Sequence, residues 1–251
     1  MAQILLVHGA WHGSWCWGDF AARLAERGHT VRTPQLRGHA YPPGRIWHRI
    51  RDYVADVRSA VAECAEPPVV VGHSMGGFVV QKFLEGGRAA GGVLMASAPP
   101  WGVVRATARL AARHPLAFLK ANLLLRLRPI LATSALVRDL MFTERTPTEI
   151  VERCFARIQD ESYPAFLDML LLSRVRPKRV QVPLLVLGAE HDPIFSVAQV
   201  QGTARAYRTE AEIFDDIGHN MMLDRGWERV ADRIDAWAVA LPTAQDRRPD
   251  A

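Results

Sequence analysis

Short apolar runs alternate with amphipathic helical stretches along most of the chain, and this alternation constrains the fold more than any other feature. The apolar runs typical of buried strands are 4–7, 30–34, 69–71, 92–95, 183–187 and 211–214. Because strands that alternate with helices form parallel sheets covered on both faces, the pattern predicts an α/β fold with a mostly parallel sheet of about six strands. The length of 251 residues suits one such unit with a sizeable insertion.

A long interval interrupts the alternation before the penultimate strand. Residues 98–182 have a helical pattern, and we expect them to form a cap (lid) inserted into a core of residues 1–97 and 183–242, followed by a flexible tail at 243–251. One apolar stripe is predicted in this cap from Leu116, Leu119, Leu123 and Leu127. The many Leu, Val and Phe residues of the insertion favour an apolar substrate.

The net charge of +5 is unevenly distributed. Seven basic residues and no acid lie between Pro99 and Arg138, whereas the rest of the chain holds 24 basic and 26 acidic residues. A polyanion-binding protein is expected to be basic over a wider surface, so we expect no nucleic-acid partner. Three of these basic residues share one helix face, which is either a solvated face or a cap surface that meets an interface or an anionic substrate: Arg105, Arg109 and Arg113.

Several other classes of protein are disfavoured. The three cysteines, Cys16, Cys64 and Cys154, are widely spaced, which argues against a disulfide scaffold or a zinc module. No run approaches 18 apolar residues, so no membrane span is expected, and the first apolar run is too short for a secretion signal. These features favour a cytoplasmic location. The sequence leaves a homodimer open.

The segment Gly72-His73-Ser74-Met75-Gly76 fits G-x-S-x-G between an apolar strand and a helix. Such a turn exposes a serine hydroxyl at the carboxyl end of the sheet, while its glycines let strand and helix approach closely. The pattern therefore predicts that Ser74 is a nucleophile. The alternative is a small residue that merely suits a tight turn.

A serine nucleophile requires a base and an acid that orients the base. In this kind of fold the chain order is serine, acid, histidine. Beyond Pro183 the histidines are His191 and His219, and His191 directly precedes the best acid candidate, Asp192. Only His219 lies beyond it, so the order predicts Asp192 as acid and His219 as base. Three nearby acids remain alternatives to Asp192: Glu190, Asp215 and Asp216.

The reaction also needs two N–H donors for the developing oxyanion. The residue after the serine, Met75, supplies one, and the loop after the first strand supplies the other, with Ala10 preferred and Trp11 second. Trp11 and Trp101 are predicted to line a substrate pocket because they lie near strand ends, as do Trp15 and Trp17. The competing interpretation is that these rings pack in the core.

The chain resembles the α/β-hydrolase superfamily over nearly its whole length, through Leu-Val-His-Gly at 6–9, Gly-His-Ser-Met-Gly-Gly at 72–77, Gly-Ala-Glu-His-Asp at 188–192 and Gly-His at 218–219. The resemblance implies the same roles for Ser74, Asp192 and His219. Residues 7–17 resemble a narrower branch that contains plant methyl-ester hydrolases, hydroxynitrile lyases and bacterial esterases acting on bulky esters or carbamates. The lyases carry a lysine after the catalytic histidine, whereas this chain has Asn220.

The expected function is a serine hydrolase that cleaves a carboxylic ester of an apolar small molecule through an acyl-enzyme on Ser74, with no cofactor or metal. The alternatives on the same scaffold are a lactonase, a carbamate, amide or carbon–carbon hydrolase, a lyase, and a ligand-binding protein without catalysis.

Overall fold

A computed structural model describes residues 1–40 and 46–242, so the predicted tail at 243–251 lies outside the described residues. The strands are β1 (Gln3–Val7), β2 (Thr30–Arg32), β3 (Val69–His73), β4 (Gly91–Met95), β5 (Leu184–Ala189) and β6 (Ala211–Phe214). They form one sheet in the order β2-β1-β3-β4-β5-β6, and every neighbouring pair is parallel. The predicted α/β class is confirmed, and the described sheet is wholly rather than mostly parallel.

The helices are α1 (Gly18–Glu26), α2 (Ile50–Ala62), α3 (Met75–Leu84), α4 (Val104–Arg113), α5 (Pro115–Leu124), α6 (Ser134–Met141), α7 (Thr148–Arg157), α8 (Tyr163–Leu167), α9 (Val197–Ala206) and α10 (Trp227–Ala240). A π-helical turn continues α8 (Asp168–Leu172), and short 3₁₀ turns occupy Ser14–Trp17, Arg128–Leu131 and Pro177–Arg179. Helices α4–α8 form the insertion between β4 and β5. Across the described ranges, none of these helices combines the length and apolar character needed to cross a bilayer.

The two faces of the sheet are covered by different helices because successive strand side chains point to opposite faces. In β1, Leu5 and Val7 belong to the apolar cluster that includes residues of α2, α3 and α9. Ile4 and Leu6 belong to the cluster on the other face, with residues of α1 and α10. The core of the fold is thus a parallel sheet between two helical layers.

The insertion has its own apolar core, but the predicted leucine stripe is not part of it. Leu116, Leu119 and Leu123 lie on α5 and are 81%, 55% and 75% exposed. Leu127 is buried among cap residues, off the helix, because α5 ends where Leu125 adopts a left-handed conformation with φ of +49°. The prediction of one four-leucine stripe is therefore wrong. Three of these leucines form an exposed face and the fourth packs in the cap.

Candidate active site

Ser74 lies at a sharp turn between β3 and α3, at the carboxyl edge of the sheet. Its φ of +54° is left-handed, a conformation that costs a residue with a side chain about 1–3 kcal/mol. The turn is tight: a Cβ on Gly72 would lie 2.5 Å from the Gly76 carbonyl oxygen, and a Cβ on Gly76 would lie 2.5 Å from that of Val7. The glycines therefore allow the strand and helix to meet at Ser74, as the sequence predicts.

Three predicted residues meet in one hydrogen-bonded chain. The Ser74 Oγ lies 3.0 Å from His219 Nε2, and His219 Nδ1 lies 2.8 Å from Asp192 Oδ2. A carboxylate can only accept, so Nδ1 carries the proton and Nε2 is left to accept from the serine hydroxyl. The His219 and Asp192 side chains are buried, which shields both hydrogen bonds from water.

Asp192 is held by the backbone that follows it. Its Oδ1 accepts from the N–H groups of Ile194 at 2.7 Å and Phe195 at 3.0 Å, while its Oδ2 accepts from His219. These two bonds fix the plane of the carboxylate against the imidazole.

The alternative acids have other surroundings. Asp215 and Asp216 form exposed ion pairs with Arg229 and Arg145. Glu190 is exposed and lies near the ring of its neighbour His191. Among the candidates, the structure brings Asp192 to His219.

His73, in the turn itself, contacts the backbone of His219. Its Nε2 donates to the carbonyl oxygen of His219 at 2.8 Å, and the two rings are 4.8 Å apart. Burial lowers the pKa of His73 well below its ordinary value, and the neighbouring His219 lowers it further. His73 is therefore neutral, and its N–H positions the main chain of His219.

The two predicted oxyanion donors border the same cavity as Ser74. Ala10 and Met75 both line it, and neither backbone N–H donates to another group of the described residues. Met75 is the first residue of α3, where backbone N–H groups lack helical partners. The N–H of Trp11, the second choice, is directed to Glu161 Oε2 at 3.4 Å. The arrangement favours Ala10 over Trp11 as the second N–H donor to the oxyanion.

Trp11 ties this loop to the cap. Its indole Nε1 donates to the carbonyl oxygen of Leu127 at 3.2 Å, and its own carbonyl accepts from the N–H of Gln159 at 3.0 Å. With the bond to Glu161, every polar group of Trp11 has a partner in the insertion. The loop that follows β1 is therefore held by the cap.

A cavity of about 490 Å³ opens beside Ser74, between the core and the cap. Its walls are mainly apolar, with side chains from α4, α6 and the segment after Asp192. Besides Ser74, Ala10 and Met75, its lining includes Trp11, Val103, Ala106, Leu110, Ile130, Leu140, Met141, Phe166, Met169, Ile194 and Phe195. This wall suits an apolar molecule.

The two predicted pocket tryptophans differ. Trp11 lines the cavity, but Trp101 does not: it is 43% exposed, and its ring lies over Gly202 of α9, where an added Cβ would be 2.9 Å away. The structure therefore corrects the placement of Trp101 in the pocket. Trp17 is fully buried in the core, and Trp15 stacks on His12.

A buried carboxylate in the cavity wall was not predicted. Glu161 accepts from His39 Nε2 at 2.9 Å, from the Tyr53 hydroxyl at 2.9 Å and from the N–H of Ser162 at 2.6 Å. Burial disfavours a charged His39, but the Glu161 carboxylate outweighs it, so the pKa of His39 is raised above its ordinary value. The network places a buried carboxylate in the mainly apolar wall of the cavity.

The loop that carries His219 is also attached to the cap. The N–H of Asn220 donates to the carbonyl oxygen of Met141 at 2.8 Å. The buried carboxylate of Asp224 accepts from the N–H groups of Gly218 at 2.8 Å and Thr143 at 3.2 Å. The cap thus also contacts the loop that carries His219.

The predicted arginine face lies on α4, and its members differ. Arg109 donates to the Ile194 carbonyl and the Gln199 side chain, and Arg113 pairs with Asp139. Arg105 is exposed and has no ion pair or hydrogen bond within the described part of the chain. Arg109 and Arg113 also border the cavity.

Comparisons with known proteins bear on the family and the fold. The model of the "Alpha/beta hydrolase family" matches residues 4–233. A carbendazim hydrolyzing esterase of Nocardioides sp. (strain SG-4G) is 42% identical over 84 residues, and the esterase PIR7B of Oryza sativa subsp. japonica is 34% identical over 105. These alignments cover 32% and 39% of this chain, and only 34% and 39% of the relatives.

A solved structure extends the likeness of fold to nearly the whole chain. A thermophilic esterase from Thermogutta terrifontis superposes with a TM-score of 0.71 and covers 97% of this chain and 91% of its own. At 21% identity, this likeness concerns the fold alone.

Proposed function

Because the chain belongs to the alpha/beta hydrolase family, we propose that it is a serine hydrolase that cleaves carboxylic esters of apolar small molecules through an acyl-enzyme on Ser74. The observation that carries the proposal is the hydrogen-bonded chain from Ser74 Oγ through His219 to Asp192, at the wall of an apolar cavity. This arrangement has the groups that acyl transfer requires: a nucleophile, a base and an acid that orients the base.

In the first half of the reaction, Ser74 Oγ attacks the ester carbonyl carbon while its proton moves to His219 Nε2. The carbonyl oxygen becomes an oxyanion, which accepts from the N–H groups of Ala10 and Met75. His219 then gives its proton to the leaving alkoxide as the carbon–oxygen bond breaks. The products of this half are an alcohol and an acylated Ser74.

In the second half, His219 removes a proton from water, and the hydroxide formed attacks the acyl carbon. The second oxyanion uses the same two N–H groups. Its collapse returns the proton to Ser74 Oγ and releases the acid. Asp192 stays ionised throughout and stabilises the imidazolium that forms in each half.

The cavity supports an apolar substrate of modest size. Its volume of about 490 Å³ falls within the range of small-molecule pockets. Side chains of the insertion supply much of its wall, so we assign substrate choice to the cap. Carbendazim belongs in any substrate panel because one curated relative is named for its hydrolysis.

The test compares wild type with Ser74→Ala on p-nitrophenyl esters of increasing acyl length. The matched control is Ser59→Ala, an exposed serine on α2. We expect Ser74→Ala to lose at least about 10³-fold in kcat and Ser59→Ala to keep wild-type rates. Equal turnover by Ser74→Ala and wild type would refute the proposal.

A fluorophosphonate probe separates a hydrolase from a ligand-binding protein on the same scaffold. We expect the probe to label wild type at Ser74 only, with the site located by peptide mass spectrometry. Lack of labelling would favour the binding protein. Lactones, carbamates and amides assayed beside the esters then distinguish the remaining alternatives.

A further inference from the structure

Helix α5 presents an apolar face to solvent. Leu116, Leu119 and Leu123 follow one another at helical spacing, and all three are more than half exposed. Two more exposed leucines follow, Leu124 at the end of α5 and Leu125 just after it, which are 51% and 43% exposed. Folded proteins rarely leave a large contiguous apolar patch open to water without a use for it.

The opposite side of α5 is fixed to the cap. Ala121 is buried in the apolar cluster of the insertion, and the side chain of Asn122 accepts from the Tyr163 hydroxyl at 2.7 Å. The helix is therefore held in one orientation, and its leucine face is a built feature of the surface. The face is not a frayed segment, because α5 is anchored through these inner residues.

The charged side chains near this face that have no ion pair among the described residues are basic. Lys120 is exposed between the leucines, and Arg105 is exposed on α4, which packs against α5. Neither has an ion pair among residues 1–40 and 46–242. Arg113 and Arg126 pair with Asp139 and Asp160 but remain half exposed. No acidic residue occurs between Pro99 and Arg138.

This charge selects among occupants of the face. A two-fold contact between copies places one surface against itself, so it would bring the Lys120 ammonium groups and their basic neighbours together. An anionic lipid surface instead offers an apolar layer for the leucines beneath phosphate groups for the cations. The charge pattern therefore favours lipid over a second copy.

We propose that the leucine face of α5 is a peripheral docking surface for an anionic phospholipid bilayer. The leucines enter the boundary between headgroups and acyl chains, while Lys120 and Arg105 contact lipid phosphates. This binding is separate from the proposed hydrolysis, since none of these five leucines lines the cavity. It would bring α4, which forms part of the cavity wall, close to the lipid surface.

The experiment is flotation of the full chain with vesicles of phosphatidylcholine alone or with 30% phosphatidylglycerol. We expect wild type to float with the anionic vesicles at least tenfold more than with the neutral ones, and 1 M NaCl to reduce this difference. The triple variant Leu116→Ser, Leu119→Ser, Leu123→Ser should lose at least tenfold in partitioning. The double variant Arg105→Glu, Lys120→Glu should lose the preference for anionic vesicles.

The control is Val239→Ser, an exposed apolar residue on α10, which should bind like wild type. Near-ultraviolet circular dichroism and turnover of a water-soluble ester report on folding, and Leu116→Gln alone provides a milder variant. The proposal is overturned if wild type does not float, or if folded leucine variants float equally well. It is also overturned if light scattering shows a dimer that the triple variant dissociates, because a second copy then occupies the face.

Discussion

Replacing Asp192 by asparagine tests the direction of proton flow at the site, because the surroundings dictate how the new amide must sit. Asp192 Oδ1 accepts from two backbone N–H groups, those of Ile194 and Phe195. An amide nitrogen at that position would face two donors and leave them unpaired, at about 1–3 kcal/mol each. The amide oxygen therefore takes the place of Oδ1.

The amide nitrogen then faces Nδ1 of His219. Because this nitrogen can only donate, His219 must accept at Nδ1 and carry its proton on Nε2 instead. That proton points at Ser74 Oγ, so the imidazole can no longer receive the serine proton. We expect Asp192→Asn to lower kcat by about 10⁴-fold, which corresponds to about 5 kcal/mol in the activation barrier.

The assay is the initial rate of p-nitrophenyl acetate hydrolysis, with thermal unfolding as a check that the near-isosteric variant folds. Asp215→Asn and Asp216→Asn are matched controls, because both acids follow β6 in exposed ion pairs, and both should retain wild-type rates. Nitrogen NMR of the imidazole reports the tautomer directly. A loss of less than tenfold in Asp192→Asn, or a comparable loss in Asp216→Asn, would refute the reasoning.

Two further predictions concern stability. Gly76→Ala should destabilise the fold by at least about 3 kcal/mol in urea unfolding, because its Cβ would press on the backbone of β1 and the following His8. The control Gly86→Ala has open space around the new Cβ and should be neutral or stabilising. Equal effects of the two substitutions would contradict the close approach at the turn. Burial lowers the pKa of His12 to about 4, so the folded state resists a proton that the unfolded chain accepts below its ordinary value of 6.5. A neutral His12 contributes about 3 kcal/mol to the free energy of unfolding, and this contribution should be lost as the pH falls from 6.5 to 4. In urea unfolding, His12→Gln should lose less stability than wild type over that interval. The same acid dependence in His12→Gln and wild type would show that His12 does not cause the loss.

The strands and the three residues Ser74, Asp192 and His219 could be predicted because each has a local signal. An apolar run, a G-x-S-x-G turn and a Gly-His pair are all confined to consecutive residues. Parallel strands bring their carboxyl ends to one edge, so the predicted sheet placed Ser74, Asp192 and His219 at the same edge. The large sequence separation of the three residues therefore did not prevent the prediction.

The packing of the cap helices could not be predicted, because helical periodicity shows which residues share a face but not what that face contacts. The leucines of α5 have ordinary helical spacing, and nothing in that spacing distinguishes a buried face from an exposed one. Likewise, Trp101 follows a strand end as a pocket residue should, but a turn at Gly102 with φ of +96° lies beside it and its ring packs on α9. Both errors concern the direction in which a side chain points.

Glu161 had no sequence signal at all. Its partner His39 is 122 residues away, and a single acid in a polar stretch is usually solvated. Only the fold shows that this carboxylate is buried with a histidine and a tyrosine behind the cavity wall. Buried polar networks assembled from distant segments are thus the part of a site that one sequence hides most completely.

The cap is attached both to the loop that contains Ala10 and to the loop that contains His219, and this has a consequence for how the family can diverge. Glu161 and Gln159 hold the loop that contains Ala10, while Met141 and Thr143 hold the loop that contains His219. A lineage that reshapes its cap for a new substrate is therefore expected to disturb the loops that carry the proposed reacting groups as well. Exchange of a whole cap between relatives should succeed only when the residues that make these few anchoring contacts are exchanged with it. Substrate specificity and catalytic activity would then change together in evolution.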